Sequence, residues 1–189
     1  MSAEVEKIFS EAGAILKGHF ELASGLHSST YWQKFRVLQY PRLTERLCKM
    51  IAQYFRHDGI QVVAGPTLGG VIIAFEVAKQ LGARSIFAER EGDGRTFKRG
   101  LTLNPGERVL IVDDVLTTGA SVREVVKAVR ERDGLLLGIG VLVDRSQGEV
   151  TFEAPLFSCH KAAIVNYTPE QCPLCAQGIP LAKPGGLDK

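Results

Sequence analysis

No stretch of this sequence is apolar for long enough to cross a bilayer. Its longest apolar run, Leu135 to Val143, falls well short of the ~20 residues a transmembrane helix needs. The opening Met-Ser-Ala-Glu-Val-Glu-Lys lacks the basic start and apolar h-region of a signal peptide, so a cytoplasmic protein is expected. Charge of one sign is missing too. The chain has 23 Lys and Arg against 21 Asp and Glu, a net charge of +2, with the two signs interleaved rather than gathered into a tract. That removes any global electrostatic argument for nucleic acid or membrane binding. There is no internal repeat or low-complexity segment. Cysteine is scarce, with four in all, and in a reducing compartment these read as free thiols or metal ligands rather than a disulfide framework.

What is present is the composition of an ordinary soluble domain. The chain has 189 residues, 45% of them hydrophobic, enough for one well-developed core with room for a small subdomain. Val5, Ile8, Phe9, Ala12, Ile15 and Leu16 recur at helical spacing and predict an opening amphipathic helix. A Ser-, Gly- and aromatic-rich segment follows from Gly18 to Arg36. Pro41 then starts a second helix carrying Leu43, Leu47, Met50, Ile51 and Tyr54, closed by Asp58-Gly59.

Beyond it the pattern becomes strand, glycine-bearing turn, helix. Strands are expected at Ile60–Ala64, Ser85–Ala88, Val109–Val112 and Leu135–Val143. Helices are expected over Val71–Leu81 and around Val122, Val125, Val126 and Val129. Strands that are apolar throughout and alternate with helices predict an α/β fold, an open parallel sheet covered on both faces. The polar run Glu89 to Gly100 reads as a mobile loop, and Thr168 to Lys189, with four of the eight prolines, as a tail wrapping the surface. The expected division is 1–40, 41–167 and 168–189.

The segment Val109-Leu-Ile-Val-Asp-Asp-Val-Leu-Thr-Thr-Gly-Ala-Ser121 carries the chemistry. Ligands of open parallel sheets collect at the carboxyl ends of strands, which is where Asp113 and Asp114 fall. Thr117 to Ser121 precede a helix, so their backbone N–H groups and hydroxyls suit a phosphate. Acids beside a phosphate cradle make sense if they grip what is attached to it, such as ribose hydroxyls, or help hold a hydrated Mg²⁺. A plainer reading is also open for each half: solvated acids, and a turn that only caps the helix. No Gly-Lys-Ser/Thr follows the glycine, so the segment is not a Walker A loop.

Together, the two halves resemble the 5-phosphoribosyl-1-diphosphate (PRPP) motif of the type I phosphoribosyltransferases. The segment Gly18-His-Phe-Glu-Leu-Ala-Ser-Gly-Leu-His-Ser28 resembles the Gly-x-Phe-x-Leu-x-Ser-Gly-x-x-Ser pattern of the orotate phosphoribosyltransferase family. The likeness runs on to Asp144-Arg145. It implies that the sheet is roofed by a small N-terminal hood, and that the reaction joins PRPP to orotate to give orotidine 5′-monophosphate and pyrophosphate.

It also implies roles. PRPP would be held by Asp113, Asp114, Val115, Leu116, Thr117, Thr118, Gly119, Ala120 and Ser121. Thr67 and Gly69 would lie in the turn that receives pyrophosphate, and Arg90, Arg95, Lys98 and Arg99 in a flexible loop lent across a homodimer interface. Orotate would meet Ser24, Gly25, Thr117 and Arg145. Asp113, Asp114 and Lys98 are the expected catalytic groups, with Mg²⁺ held mainly through PRPP and by the two acids through water. Family lysines are missing at two places, where this chain has Ala23 and Gly69.

Chemistry supports some of this independently. Arg145 could offer a planar fork to a carboxylate, though an arginine pairing at the surface fits as well. The loop's bases could neutralise pyrophosphate, though mixed charges also suit a solvated loop. A purine-base phosphoribosyltransferase and a PRPP-sensing regulator that binds nucleic acid are the alternatives. The hood pattern argues against the first, and the missing basic module against the second.

Some residues tempt without fitting. Cys172-Pro-Leu-Cys175 with Cys159-His160 could make a zinc site, but the spacing fits no familiar finger, and neighbours in a strand point to opposite faces. Free thiols packing the tail are expected instead. His19 and His27 are expected to hydrogen-bond or to pack at helix ends. Tyr31 and Trp32 suit either stacking on a base or plain core.

Overall fold

The computed structural model describes residues 2–22, 25–146, 148, 150–162 and 165–183. Helix α1 (Ser2–Glu11) buries Val5, Ile8 and Phe9. It stops before Ile15 and Leu16, which the apolar spacing had assigned to it. Gly13 N–H bonds the Ser10 carbonyl and Ala14 N–H the Phe9 carbonyl, the paired bonds that end a helix on a glycine. Ile15 and Leu16 instead open β1 (Ile15–Glu21), which pairs antiparallel with β2 (His27–Trp32). A two-residue strand near the other end of the chain, β9 (Asn166–Tyr167), adds to β2. The hood is therefore a three-stranded antiparallel sheet, ordered β1-β2-β9.

A short helix, α2 (Phe35–Leu38), and the expected α3 (Pro41–Tyr54) lead into the main sheet. Its elements are β3 (Val62–Pro66), α4 (Gly69–Leu81), β4 (Arg84–Glu91), β5 (Gly94–Phe97), β6 (Arg108–Leu116), α5 (Ala120–Arg130), β7 (Leu135–Asp144) and β8 (Leu156–Lys161). The strand order is β5-β4-β3-β6-β7-β8, parallel throughout except for the edge pair β4–β5. Much of the polar run expected as a loop is that pair. Arg90 stands opposite Arg95 and Glu89 opposite Thr96, around a turn at Gly92-Asp93. The alternating side chains of this edge hairpin are mostly polar on both faces, which hid its strand character.

Period-2 alternation along β6 builds both halves of the core. Leu110 and Val112 pack with Leu47 and Ile51 of α3 and Ile73 and Val77 of α4. Val109 and Ile111 pack with Val122, Val125 and Val129 of α5. The chain leaves β3 for β4 on one side and resumes at β6 on the other. That reversal opens a crevice beyond the carboxyl ends of β3 and β6. After β8 and β9 the chain makes a 3₁₀ turn (Pro169–Gln171) and a four-residue helix, α6 (Pro173–Ala176). Among the described residues no helix is long and apolar enough to cross a membrane.

Candidate active site at the ends of β3, β6 and β7

The two acids lie inside β6, which runs on to Leu116, and continue its alternation, so they point to opposite faces. Asp113 extends the α5 side: its carboxylate accepts Ser121 Oγ at 2.8 Å and the Asp114 backbone N–H at 2.8 Å. Asp114 extends the α4 side and accepts Lys34 Nζ at 2.7 Å and the Val115 N–H at 2.7 Å. Both are buried, at 6% and 3% exposure. Burial first, and then the neighbouring Asp114 charge, push the Asp113 carboxyl up to about 6. A buried carboxylate is tolerable only with such donors around it.

Ser121, expected on phosphate, thus has its hydroxyl on Asp113. Thr117 and Thr118 are exposed ahead of α5. Gly119, with φ +75°, turns the chain into α5, and the Ala120 N–H at its start lies 3.4 Å from Thr118 Oγ1. The β3–α4 turn closes the opposite wall. A Cβ on Gly69 would lie 1.8 Å from Asp114 Oδ2, so no side chain, least of all a lysine, fits there while the acid keeps its place. Lys34, which the sequence reading passed over, brings a cation to the same acid from the hood side. Its one signal was its place right after the Tyr31-Trp32-Gln33 segment of the hood.

At the neighbouring strand end Leu116 pairs with Asp144, and Arg145 N–H donates to the Leu116 carbonyl at 2.8 Å. Arg145 and Thr117 therefore stand side by side. Asp144 accepts the Ser146 N–H at 2.8 Å and Ser146 Oγ at 2.7 Å, which fixes the turn presenting Arg145. The Arg145 Nε is buried without a hydrogen-bond partner. Burial lowers the pKa of its guanidinium, and Tyr31 of the hood opposes that shift.

The four cations of the 89–100 segment are all paired within the chain. Arg95 is 7% exposed and bonds Glu124, Thr67 Oγ1 and the Ala88 carbonyl. Arg90 lies 3.9 Å from Glu124, Lys98 2.9 Å from Glu91, and Arg99 holds Glu89 through two bonds. Ala23 and Ser24 lie outside the described residues. Gly25 is described in the β1–β2 connection, where its N–H bonds the Leu22 carbonyl.

Cys159 and His160 do not join the tail cysteines. Cys159 donates its thiol to the Leu47 carbonyl, and His160 stacks on Trp32 at 5.0 Å. Trp32 is thus buried core rather than a base platform. His19 and His27 sit in strands, not at helix ends, and their rings hydrogen-bond each other at 3.0 Å.

Residues 34–175 match the family model of the phosphoribosyl transferase domain. The chain is 52% identical over 182 residues to the orotate phosphoribosyltransferase of Pelotomaculum thermopropionicum, covering 96% of each. It is 49% identical, with the same coverage, to that of Thermoanaerobacter sp.. Among solved structures it resembles orotate phosphoribosyltransferase from Aeropyrum pernix. There the TM-score is 0.72 at 26% identity, over 83% of this chain and 93% of that one.

Proposed function

The chain belongs to the phosphoribosyltransferase family, and from that premise we propose that it transfers the 5-phosphoribosyl group of PRPP to orotate. The products are orotidine 5′-monophosphate and pyrophosphate, in pyrimidine nucleotide synthesis in the cytoplasm. Relatives bearing the orotate name match along nearly the whole chain. The observation that carries the choice of acceptor is Arg145. Its buried Nε has no partner, and it stands beside Thr117 at the mouth of the crevice. A flat anion with a carboxylate supplies the acceptor that this donor lacks.

The 5-phosphate rests on the N–H groups and hydroxyls from Thr117 to Ala120. The ribose then lies over the ends of β6. Positive charge grows on the ring as pyrophosphate leaves, and the Asp113 and Asp114 carboxylates stabilise it. Orotate N1 attacks C1 of the ribose. Pyrophosphate departs towards the Thr67–Gly70 turn, whose wall is close because residue 69 has no side chain. Lys34 supplies cationic charge in place of the family lysines missing at Ala23 and Gly69.

The acids also suit Mg²⁺, a hard ion that takes oxygen ligands and keeps much of its water. Asp113 and Asp114 would reach it through water, and the ion would supply charge neutralisation on the leaving diphosphate. Lys98, Arg90 and Arg99 give up only surface ion pairs, which solvent screens, so a diphosphate competes for them easily. Leu68 just ahead of α4, and Ile72 and Phe75 on it, are 73%, 40% and 65% exposed. That apolar row supports a homodimer, across which the 89–100 hairpin would be shared.

The test is a base panel with PRPP and Mg²⁺, read by ultraviolet absorbance. Orotate should be consumed and hypoxanthine, guanine and adenine left untouched. Turnover of a purine without loss of orotate would overturn the reading.

A further inference from the structure

Beyond the transferase site, one cluster of ligating side chains has no part in the chemistry above. His19 of β1, His27 of β2, and Cys172 and Cys175 at the start of α6 bring one ligand atom each to within 4.8 Å of one another. Three of the four are buried, and Cys175 is exposed. We propose that these four side chains bind one structural zinc ion, which fastens the tail of the chain to the hood hairpin.

The distances suit the ion. Cys172 Sγ and Cys175 Sγ lie 3.5 and 3.7 Å from His19 Nε2, and Cys175 Sγ lies 3.3 Å from His27 Nδ1. A tetrahedral zinc with ordinary Zn–S and Zn–N bonds sets its nitrogen and sulfur ligands about 3.5 Å apart and two nitrogens about 3.3 Å apart. The observed 3.0 Å between the rings needs only a small opening to accept the metal. Cys172 sits just ahead of α6 and Cys175 lies within it, and their sulfurs converge on the same His19 nitrogen.

The surroundings orient the ligands. His19 Nδ1 lies 2.8 Å from the Ile179 carbonyl, which can only accept, so Nδ1 carries the proton and Nε2 turns its lone pair inward. Backbone partners of this kind hold metal-bound histidines. Around the cluster the tail is already laced to the hood. Ala182 N–H bonds the His19 carbonyl, Glu21 N–H bonds the Ala182 carbonyl, and Lys183 pairs with Glu21 at 2.8 Å.

Two thiolates and two neutral imidazoles around Zn²⁺ leave no net charge in a mostly buried site, and the two thiol protons go to solvent. Two thiolates with two imidazoles in a tetrahedron select zinc over the hard cations. The two histidines flank the connection holding Gly25, so the metal would also steady the edge of the base pocket.

The experiment takes the full chain, purified without chelator and without a polyhistidine tag, to elemental analysis. We expect about one zinc per chain, released by a mercurial thiol reagent. Cobalt in place of zinc should give the intense visible bands of a tetrahedral thiolate site. The Cys172→Ser/Cys175→Ser variant should hold less than about a tenth as much metal and melt at least about 5 °C lower. Cys159→Ser and His160→Gln should keep the full complement.

If the double variant does not fold, the wild-type zinc content and cobalt spectrum still decide the matter. Wild-type protein that carries no zinc and takes none up, or that holds Cys172 and Cys175 as a disulfide unaffected by zinc, would overturn the proposal. Metal content, spectrum and melting are read without orotate, so a failed base assay and a failed metal assay are distinguishable.

Discussion

Lys34 Nζ donates to Asp114 Oδ1 at 2.7 Å across 80 positions of sequence, joining the hood to an acid of the central strand. The acid's side chain is 4% exposed and the lysine's 36%, so the contact is shielded on one side only. Lys34→Met should leave a buried carboxylate without its cation. We expect a stability loss of about 1–3 kcal/mol in urea unfolding and a fall of at least about tenfold in kcat/KM for PRPP. Wild-type values for both would show that the pair is incidental.

Gly69→Ala tests the close approach of the β3–α4 turn. The added methyl would meet Asp114 Oδ2 at 1.8 Å, and that carboxylate is held by Lys34 and the Val115 N–H, so it cannot move aside at no cost. The variant should keep its far-ultraviolet dichroism and lose PRPP affinity by on the order of tenfold or more, measured by calorimetric titration. Unchanged affinity would place the diphosphate elsewhere.

Asp113 gives a pH dependence with a definite sign. Its folded-state pKa is raised from 3.8 to about 6, so the folded protein binds this proton more tightly than the unfolded chain does. Between those values stability from this group falls as pH rises, and above about 6 the loss is complete. Asp113→Asn does not titrate. Its stability relative to wild type should therefore improve by about 1 kcal/mol or more between pH 4 and pH 7 in urea melts. A constant difference across that range would contradict the raised pKa.

Phe75→Glu addresses the exposed row on α4. Placing a charge among Leu68, Ile72 and Phe75 should convert a dimer to monomer in light scattering, with little change in monomer stability because Phe75 is 65% exposed. A wild-type chain that is monomeric at all concentrations, or a variant that stays dimeric, would remove this face from the interface.

The fold was readable where one physical signal dominates. The apolar run Val109–Val112 with two acids after it placed β6 and the crevice, and Pro41 placed the start of α3. Relationships that depend on tertiary contact were not readable. The hairpin of β4 and β5 is polar on both faces from Glu89 to Thr96, so composition spoke for a loop there. Ile15 and Leu16 keep helical spacing from Phe9, but the glycine turn at Gly13 hands them to a strand. Lys34 is one unremarked cation until the hood folds over Asp114. In the sequence the tail cysteines have only Cys159-His160 as near candidates, a grouping that does not fit, whereas the chain brings them to His19 and His27. Asp113 and Asp114 are adjacent in sequence, and the partners that strand alternation gives them on opposite faces, Ser121 and Lys34, come from tertiary contact.

The central claim is that Arg145 reads the acceptor while the turn after β6 holds the donor. Its most direct test is steady-state kinetics of Arg145→Ala beside wild type, with orotate and PRPP varied separately. We predict a loss on the order of 100-fold in kcat/KM for orotate, a KM for PRPP within about twofold of wild type, and an undiminished melting temperature, since the removed Nε had no partner. An Arg145→Ala enzyme that uses orotate as well as wild type does would contradict the account.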